Sequence, residues 1–290
     1  MTLSHVGLVR EISSAEFAGF QRLIGEASGI TLGATKRQLL MGRIARMVRE
    51  RGIESYGEYL EIVRNDTTGD EMVQLLDLVS TNETRFFREK PHYRYLTEAL
   101  CPRWRDEANA PSHTRRIRVW SAACSTGQEP YSVAMTLLDR LPESEGWSVE
   151  IIASDISTRA LAIAAKGEYD IDQASDIPPT YLRRFMLRGV AGQSGVMCVS
   201  ESLRAATHFE RINLHDPDSP ALGMFDLIFC SNALIYFAKD GRDAVVKRLA
   251  RKLTPHGRLF VGHAESLHDH RSILRAVAPT VYAPVVSTNS

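Results

Sequence analysis

Apolar residues in the first 78 positions recur at helical spacing, and no stretch there alternates as a strand does. Ser13 and Glu16 have the spacing of a capping box, so a helix is predicted to begin at Ser13. The predicted helices are one from Ser13, one over about 36–51, one from Ser55 and one over about 71–79. The pattern therefore indicates a small helical bundle over residues 1–78.

From about residue 115, short buried strands alternate with amphipathic helices. The predicted strands are 117–121, 149–153, 225–230 and 258–261, and the predicted helices are 129–141, 158–165 and 244–253. Such alternation is typical of a parallel sheet with helices on both faces. Residues 168–206 interrupt it with glycines and prolines, and predict a helix over 179–187 followed by a hairpin. The predicted fold class is α/β, with a small β-subdomain inserted in the larger domain.

The segment that joins the first predicted strand to its helix, residues 119–132, has small residues, one glycine and no P-loop lysine. A bound pyrophosphate usually requires several glycines at this place. Glu129 in the same loop would repel a pyrophosphate but would pair with the α-ammonium group of a methionine moiety. The loop therefore favours S-adenosylmethionine over a nucleotide with phosphates.

Asp155 stands at the end of the second predicted strand. An acid at this place in a parallel sheet is positioned to accept hydrogen bonds from ribose hydroxyls. The same residue type also caps helices, and a helix is predicted to follow. The sequence leaves both roles open.

Composition indicates the cellular location of the protein more than the reaction that it catalyses. Lys plus Arg and Asp plus Glu both number 35, so net charge indicates no class of partner. The four cysteines are scattered, unlike a zinc or redox pair, which favours free thiols in a reducing cytoplasm. No apolar stretch approaches the roughly 20 residues of a membrane span, and the first ten residues lack the apolar core of a secretory signal. We therefore expect a cytoplasmic protein without membrane insertion.

Six ordered segments are distinctive. They read STNETRFFRE at 80–89, WSAACSTGQEPYS at 120–132, ASDI at 153–156, RINL at 211–214, FCSNALIYF at 229–237 and VGHAE at 261–265. Together they resemble the CheR family of chemotaxis receptor methyltransferases. The resemblance implies an N-terminal helical domain over 1–78 and a linker over 79–95 that contributes to the cofactor site. It also implies a Rossmann-like S-adenosylmethionine-dependent methyltransferase domain over 96–290, with the inserted β-subdomain at about 168–206.

The implied reaction is methyl transfer to glutamate carboxylates of chemoreceptors, with S-adenosylhomocysteine as product, in a monomeric enzyme without metal. A glutamate side chain has a reference pKa of about 4.3 and is already ionised at pH 7. No general base is then needed to create the nucleophile. Alignment of the reacting atoms remains as the main task of the protein.

The resemblance also implies roles for individual residues. Arg88 and Tyr236 are expected close to the reacting centre. The expected cofactor contacts are Asn82, Thr84, Arg88, Ala123, Glu129, Asp155, Asn213, Leu214 and Ser231.

Ser231 departs from the family, which usually has arginine there. A serine cannot supply a guanidinium to orient an anionic acceptor. We therefore keep two further hypotheses: a cofactor-binding regulator of low turnover, and a methyltransferase for another protein acceptor.

The predicted helix at about 36–51 carries Arg46 and Arg49 opposite its apolar stripe, with Arg43 beside them. These residues are typical of a solvated outer face, but they also complement acidic sites on the cytoplasmic helices of membrane chemoreceptors. The family resemblance favours the second reading. Nucleic acid is a weaker alternative because no aromatic interleaving accompanies the charge. Docking of a receptor C-terminal tail on the inserted β-subdomain is a further hypothesis.

Overall fold

A computed structural model describes residues 11–33, 37–110, 114–217 and 222–285. The first ten residues, where no secretory signal is expected, and Lys36 of the predicted basic helix lie outside these ranges. The chain divides into two compact units. The first comprises Met1–Thr81 and Tyr236–Gly241, and the second comprises Asn82–Ile235 and Arg242–Ser290.

The helices, numbered along the chain, are α1 Ser14–Ser28, α2 Arg37–Glu50, α3 Tyr56–Asn65, α4 Asp70–Val79, α5 Lys90–Tyr95, α6 Cys101–Glu107, α7 Gln128–Arg140, α8 Thr158–Lys166, α9 Pro179–Phe185, α10 Glu201–Ala206 and α11 Lys239–Arg251. The strands are β1 Arg116–Ala122, β2 Ser148–Asp155, β3 Glu168–Asp170, β4 Met186–Arg188, β5 Val196–Val199, β6 Thr207–Arg211, β7 Phe225–Cys230, β8 Leu253–Val261, β9 Leu274–Ala278 and β10 Val281–Pro284.

Helices α1 to α4 lie in the first unit, and the capping box predicted for α1 is confirmed. The backbone N–H of Glu16 donates to the Ser13 hydroxyl (3.2 Å), and the Glu16 carboxylate accepts from the Ser13 N–H (2.8 Å). Phe20, Ile24 and Tyr59 are fully buried. Their burial supplies the apolar core that short helices need for stability.

The second unit is built on a seven-stranded sheet with the order β6-β2-β1-β7-β8-β10-β9. Neighbouring strands from β6 to β8 run parallel, and β10 is antiparallel to both β8 and β9. Buried aromatic rings fill the centre, where Phe229 stacks on Phe260 with centroids 4.3 Å apart. The predicted Rossmann-like class is therefore confirmed.

A separate three-stranded antiparallel sheet, with the order β3-β5-β4, forms the inserted β-subdomain. The predicted hairpin corresponds to β4 and β5, and β3 adds a third strand. The helix predicted over 179–187 ends earlier, because residues from Met186 onward pair with β5 instead.

Other element boundaries also differ from the prediction. Strand β8 begins at Leu253 rather than 258, because it continues past Pro255 and Gly257 through a shift in its pairing with β7. A proline inside a predicted strand normally indicates that the strand has not yet begun. Strand β6 was not predicted, because its sequence, THFER, is mostly polar and exposed at the sheet edge. The C-terminal strands β9 and β10 were not predicted either.

Candidate active site

Because strands β6, β2, β1, β7 and β8 run parallel, their carboxyl ends meet at one edge of the sheet. Ligands of parallel α/β sheets bind beyond this edge. Asp155 is the last residue of β2, and the loops that leave the edge contain Ala123, Asn213 and Ser231. Glu129 lies in the first turn of α7, which follows the β1 loop. The edge is therefore the candidate active site.

The loop from β1 to α7 has an unusual backbone. Ala123 and Ser125 have φ angles of 66° and 52°, in the left-handed region that side chains rarely adopt. Gly127 has φ 96°, and a Cβ there would lie 2.8 Å from the Cβ of Ala164. Non-glycine residues in this region are strained and concentrate at functional sites. The Ser125 hydroxyl is buried and has no hydrogen-bond partner within the described parts of the chain.

Asp155 joins two of these loops and is 7% exposed. Its carboxylate accepts hydrogen bonds from the backbone N–H groups of Ser125 (2.8 Å) and Ser157 (2.9 Å). The side chain that caps α8 is Ser157, whose hydroxyl accepts from Ala160 N–H at 3.2 Å. Asp155 therefore organises the site edge without being that cap, and its contact with a ribose stays a prediction.

Glu129 accepts a hydrogen bond from the Ser121 hydroxyl at 2.7 Å. Burial raises the pKa of its carboxyl group to about 7. The charges of Glu265 and Glu89 contribute to this increase, whereas the nearby hydroxyls of Ser121 and Ser231 oppose it. A carboxylate in this setting favours a nearby cation.

Ser231 follows β7 directly and lies beside Glu129, close enough to lower the pKa of that carboxyl group. Its buried hydroxyl nevertheless lacks hydrogen-bond geometry to any group in the described ranges. The next residue, Asn232, has φ 62°. The backbone N–H of Asn232 donates to the carboxylate of Glu265 at 2.8 Å. Sequence reasoning missed Glu265 as a site residue, although an acid soon after a strand end was a signal.

The predicted linker packs against α7. The N–H of Phe87, at φ 52°, donates to the Ser132 hydroxyl (3.0 Å). Arg88 donates to the carbonyl oxygen of Glu83 (2.9 Å). Asn82 and Thr84 precede this anchor and are half-buried. Their predicted cofactor contacts are therefore compatible with their exposure.

Also within the linker, the Glu89 carboxylate pairs with Nδ1 of His263 at 2.9 Å. Burial opposes ionisation of Glu89, but the hydrogen bond and charge of His263 outweigh it and lower the pKa of the carboxyl group. The pair connects the start of α5 to the loop after β8.

Asn213 and Leu214 lie just after β6. The N–H of Ile212 donates to the carbonyl oxygen of Asp155 (3.1 Å), which brings this segment next to the β2 end. The Asn213 side chain accepts from His215 N–H (3.0 Å), and the Leu214 side chain is buried. Both residues therefore lie at the predicted edge.

Four predicted residues belong to the first unit. Tyr236 accepts a hydrogen bond on its carbonyl oxygen from Thr31 N–H (2.8 Å). Arg43 on α2 donates to the carbonyl oxygens of Leu78 in α4 (2.7 Å) and of Ser80 just after it (2.8 Å). Arg46 pairs with Glu50 at 2.8 Å and is largely exposed. Arg49 is also exposed.

Within the described ranges, no group of three or more His, Cys, Asp or Glu residues is arranged to hold a metal ion. The expectation of a metal-free site remains a prediction. No described helix is long and apolar enough to cross a membrane.

The residues at the edge fit S-adenosylmethionine. The unpartnered Ser125 hydroxyl offers a hydrogen bond to a ligand, and Asp155 lies next to it. Glu129 offers a negative charge where an α-ammonium group would be stabilised. S-adenosylmethionine supplies a methyl group that its positive sulfur activates. The sheet and this edge define an S-adenosylmethionine-dependent methyltransferase.

Comparisons with known proteins support this class of enzyme. Residues 82–283 match the family model for the CheR methyltransferase SAM binding domain, and residues 15–80 match that for the CheR methyltransferase all-alpha domain. The chain belongs to the CheR methyltransferase family and carries out S-adenosylmethionine-dependent methylation in chemotaxis.

Three relatives illustrate the similarity. The chemotaxis protein methyltransferase of Klebsiella aerogenes is 36% identical, over 93% of this chain and 90% of the relative. That of Escherichia coli is 35% identical, over 94% and 91%. Chemotaxis protein methyltransferase 2 of Pseudomonas aeruginosa is 35% identical, over 93% and 92%. The similarity therefore extends over both units.

Proposed function

We propose that this enzyme methylates glutamate side-chain carboxylates of chemoreceptors and forms glutamyl methyl esters. The supporting observation is that acidic side chains at the site edge already have partners within the protein. Asp155 and Glu265 accept backbone N–H groups, and Glu89 pairs with His263. A site so arranged suits an acceptor that arrives ionised, because a carboxylate needs no proton removed at pH 7.

The acceptor surface that we propose is the exposed face of α2. Arg46 and Arg49 lie there, and Arg43 flanks them while it also binds the end of α4. Positive side chains complement acidic sites on a receptor helix and speed association with it. An exposed ion pair such as Arg46 with Glu50 is weak enough to exchange for a partner carboxylate.

A receptor C-terminal tail has a second proposed place, on the inserted β-subdomain. The order β3-β5-β4 leaves β4 at a sheet edge. Leu187 in β4 is 60% exposed, and Val190 just after it is 78% exposed. An extended peptide adds to such an edge through backbone hydrogen bonds, and exposed apolar side chains supply further contact.

The test is transfer of a labelled methyl group from S-adenosylmethionine to receptor-containing membranes. A glutamyl ester releases its label as methanol in mild base, whereas methylated nitrogen keeps it. Receptor in which the acceptor glutamates are alanine serves as the matched control. Base-stable label, or equal label on the control receptor, would contradict the carboxylate assignment.

Ser231 motivates a second candidate, a cofactor-binding regulator of low turnover. Its side chain lies beside Glu129 where the family usually has arginine, so no guanidinium is available at that position. Tight binding of S-adenosylhomocysteine together with no methyl transfer to any membrane protein would favour this candidate. Labelling of proteins other than receptors would favour another acceptor.

A further inference from the structure

Glu265 lies just beyond the carboxyl end of β8 and is 5% exposed. Its Oε2 accepts hydrogen bonds from the N–H groups of Asn232 (2.8 Å) and Gly262 (2.7 Å). Its Oε1 accepts from the N–H groups of Leu234 (2.7 Å) and Ile235 (3.3 Å). Burial raises the pKa of this carboxyl group, and the four backbone donors oppose the shift.

The position of Glu265 explains why its side chain accepts hydrogen bonds from four backbone N–H groups. Strands β7 and β8 pair up to Cys230 and Val261, which lie opposite each other. The strand pairing ends at this pair, and the backbone N–H groups beyond it need another acceptor. The Glu265 carboxylate supplies it, while its own N–H donates to the Gly262 carbonyl oxygen (2.9 Å). The Glu265 side chain therefore accepts the backbone hydrogen bonds that strand pairing no longer provides after β7 and β8 end.

The segment that Glu265 holds contains a residue with an uncommon backbone conformation, although asparagine tolerates it better than most residue types. Asn232 has φ 62°, in the left-handed region. A Cβ at position 262 would lie 2.4 Å from Nδ2 and 2.9 Å from the backbone nitrogen of Asn232. Surrounding contacts must therefore maintain this conformation, and the Glu265 carboxylate accepts hydrogen bonds from three backbone N–H groups of the segment.

Segment 231–235 carries one side chain beside Glu129 and one exposed apolar side chain. Ser231 lies beside Glu129 at one end. Ile235, at the other end, is 53% exposed although it is apolar. We propose that Glu265 is a positioning residue for methyl transfer, which fixes segment 231–235 so that Ser231 stays at Glu129 and Ile235 is presented to the acceptor polypeptide. The proposal rests on the proposed function only for the identity of that acceptor.

Glu265→Gln tests the proposal, because the amide has the same size but its nitrogen cannot accept a hydrogen bond. Two of the four backbone donors then face another donor. We expect these four amides to exchange with solvent at least tenfold faster in the variant: Asn232, Leu234, Ile235 and Gly262. We also expect kcat for methyl transfer to fall at least tenfold, while Kd for S-adenosylhomocysteine changes less than threefold. Thermal melting checks that the variant is folded at the assay temperature.

Asp226→Asn is the matched control. Asp226 lies near the opposite end of β7 and accepts from Arg118 N–H (2.9 Å) and the Thr254 hydroxyl (3.4 Å). This variant should lower thermal stability but leave kcat and amide exchange at segment 231–235 within twofold of the original protein. An equal loss of kcat in both variants would overturn the positioning role, as would normal exchange and normal kcat in Glu265→Gln.

If Glu265→Gln does not fold, Gly262→Ala replaces it, since an added Cβ would lie 2.9 Å from the backbone nitrogen of Asn232 and displaces this donor from a chemically unchanged Glu265 carboxylate. The proposal then requires the same tenfold changes in amide exchange and kcat from Gly262→Ala. Failure of the proposed function is separate: the unaltered enzyme would form no base-labile label on receptors. Amide exchange and S-adenosylhomocysteine binding involve no acceptor, so they still decide whether Glu265 holds the segment.

Discussion

The protonation of Glu129 should control cofactor affinity. Burial, followed by the charges of Glu265 and Glu89, raises the pKa of this carboxyl group to about 7. Only the ionised form attracts the α-ammonium group that we assign to it. Binding should therefore weaken as pH falls below 7 and level off above it.

The size of the effect follows from that pKa. A group with a pKa of about 7 is about three quarters ionised at pH 7.5 and about a tenth ionised at pH 6. Affinity for S-adenosylhomocysteine should then fall about eightfold between these pH values, and binding at pH 6 should release about 0.9 proton. Because folding raises the pKa of Glu129 above its ordinary value, the ligand-free protein loses the corresponding stability as pH rises towards 7. Bound ligand should counteract this loss.

Titration calorimetry in two buffers of different ionisation enthalpy measures both quantities. Glu129→Gln should abolish the pH dependence and the proton release, and weaken binding at pH 7.5 by roughly 1.5–3 kcal/mol. Glu150→Gln is a control, because Glu150 pairs with Arg116 and Arg118 near the start of β2. Affinity that is constant from pH 6 to 7.5 without proton release would refute the assignment of Glu129 to the ammonium group.

Three other variants test the remaining assignments. Asp155→Ala should weaken S-adenosylhomocysteine binding by roughly 1–3 kcal/mol in calorimetry, and unchanged affinity would remove the ribose contact. Charge reversal of Arg46 and Arg49 should reduce receptor methylation several-fold and leave cofactor affinity within twofold, whereas reversal of exposed Arg22 on α1 should change neither. Ser231→Arg should raise kcat if the usual guanidinium serves the transition state, with S-adenosylhomocysteine affinity as the control for a disturbed pocket. A folded Ser231→Arg that binds normally but is no faster would mean that Ser231 does not limit turnover.

Local patterns determined the fold class. The spacing of Ser13 and Glu16 predicted a helix start, because a capping box involves residues three positions apart. The alternation after residue 115 predicted a parallel sheet, because burial on both faces imposes apolar runs on its strands. Where burial is weak, as in β6, the pattern is absent and the strand was missed.

The same reasoning located much of the candidate site. Asp155 follows a buried strand, and Glu129 follows the first strand and its loop. In a parallel sheet such residues must lie near one edge, whatever the rest of the chain does. Their order along the chain, together with the family segments, was therefore enough to predict where they lie, though not what they contact.

The sequence by itself determined the α/β class, the family and the edge of the sheet where chemistry is expected. Only the tertiary structure decided which partner each polar side chain has. Glu265 accepts from Asn232, 33 positions earlier, and Arg43 donates to Leu78, 35 positions later. Hydrogen bonds over such separations depend on how whole strands and helices pack, and no local pattern encodes that distance. The same holds for Glu129, whose pKa is raised because burial and distant acids surround a residue that looks ordinary in the sequence.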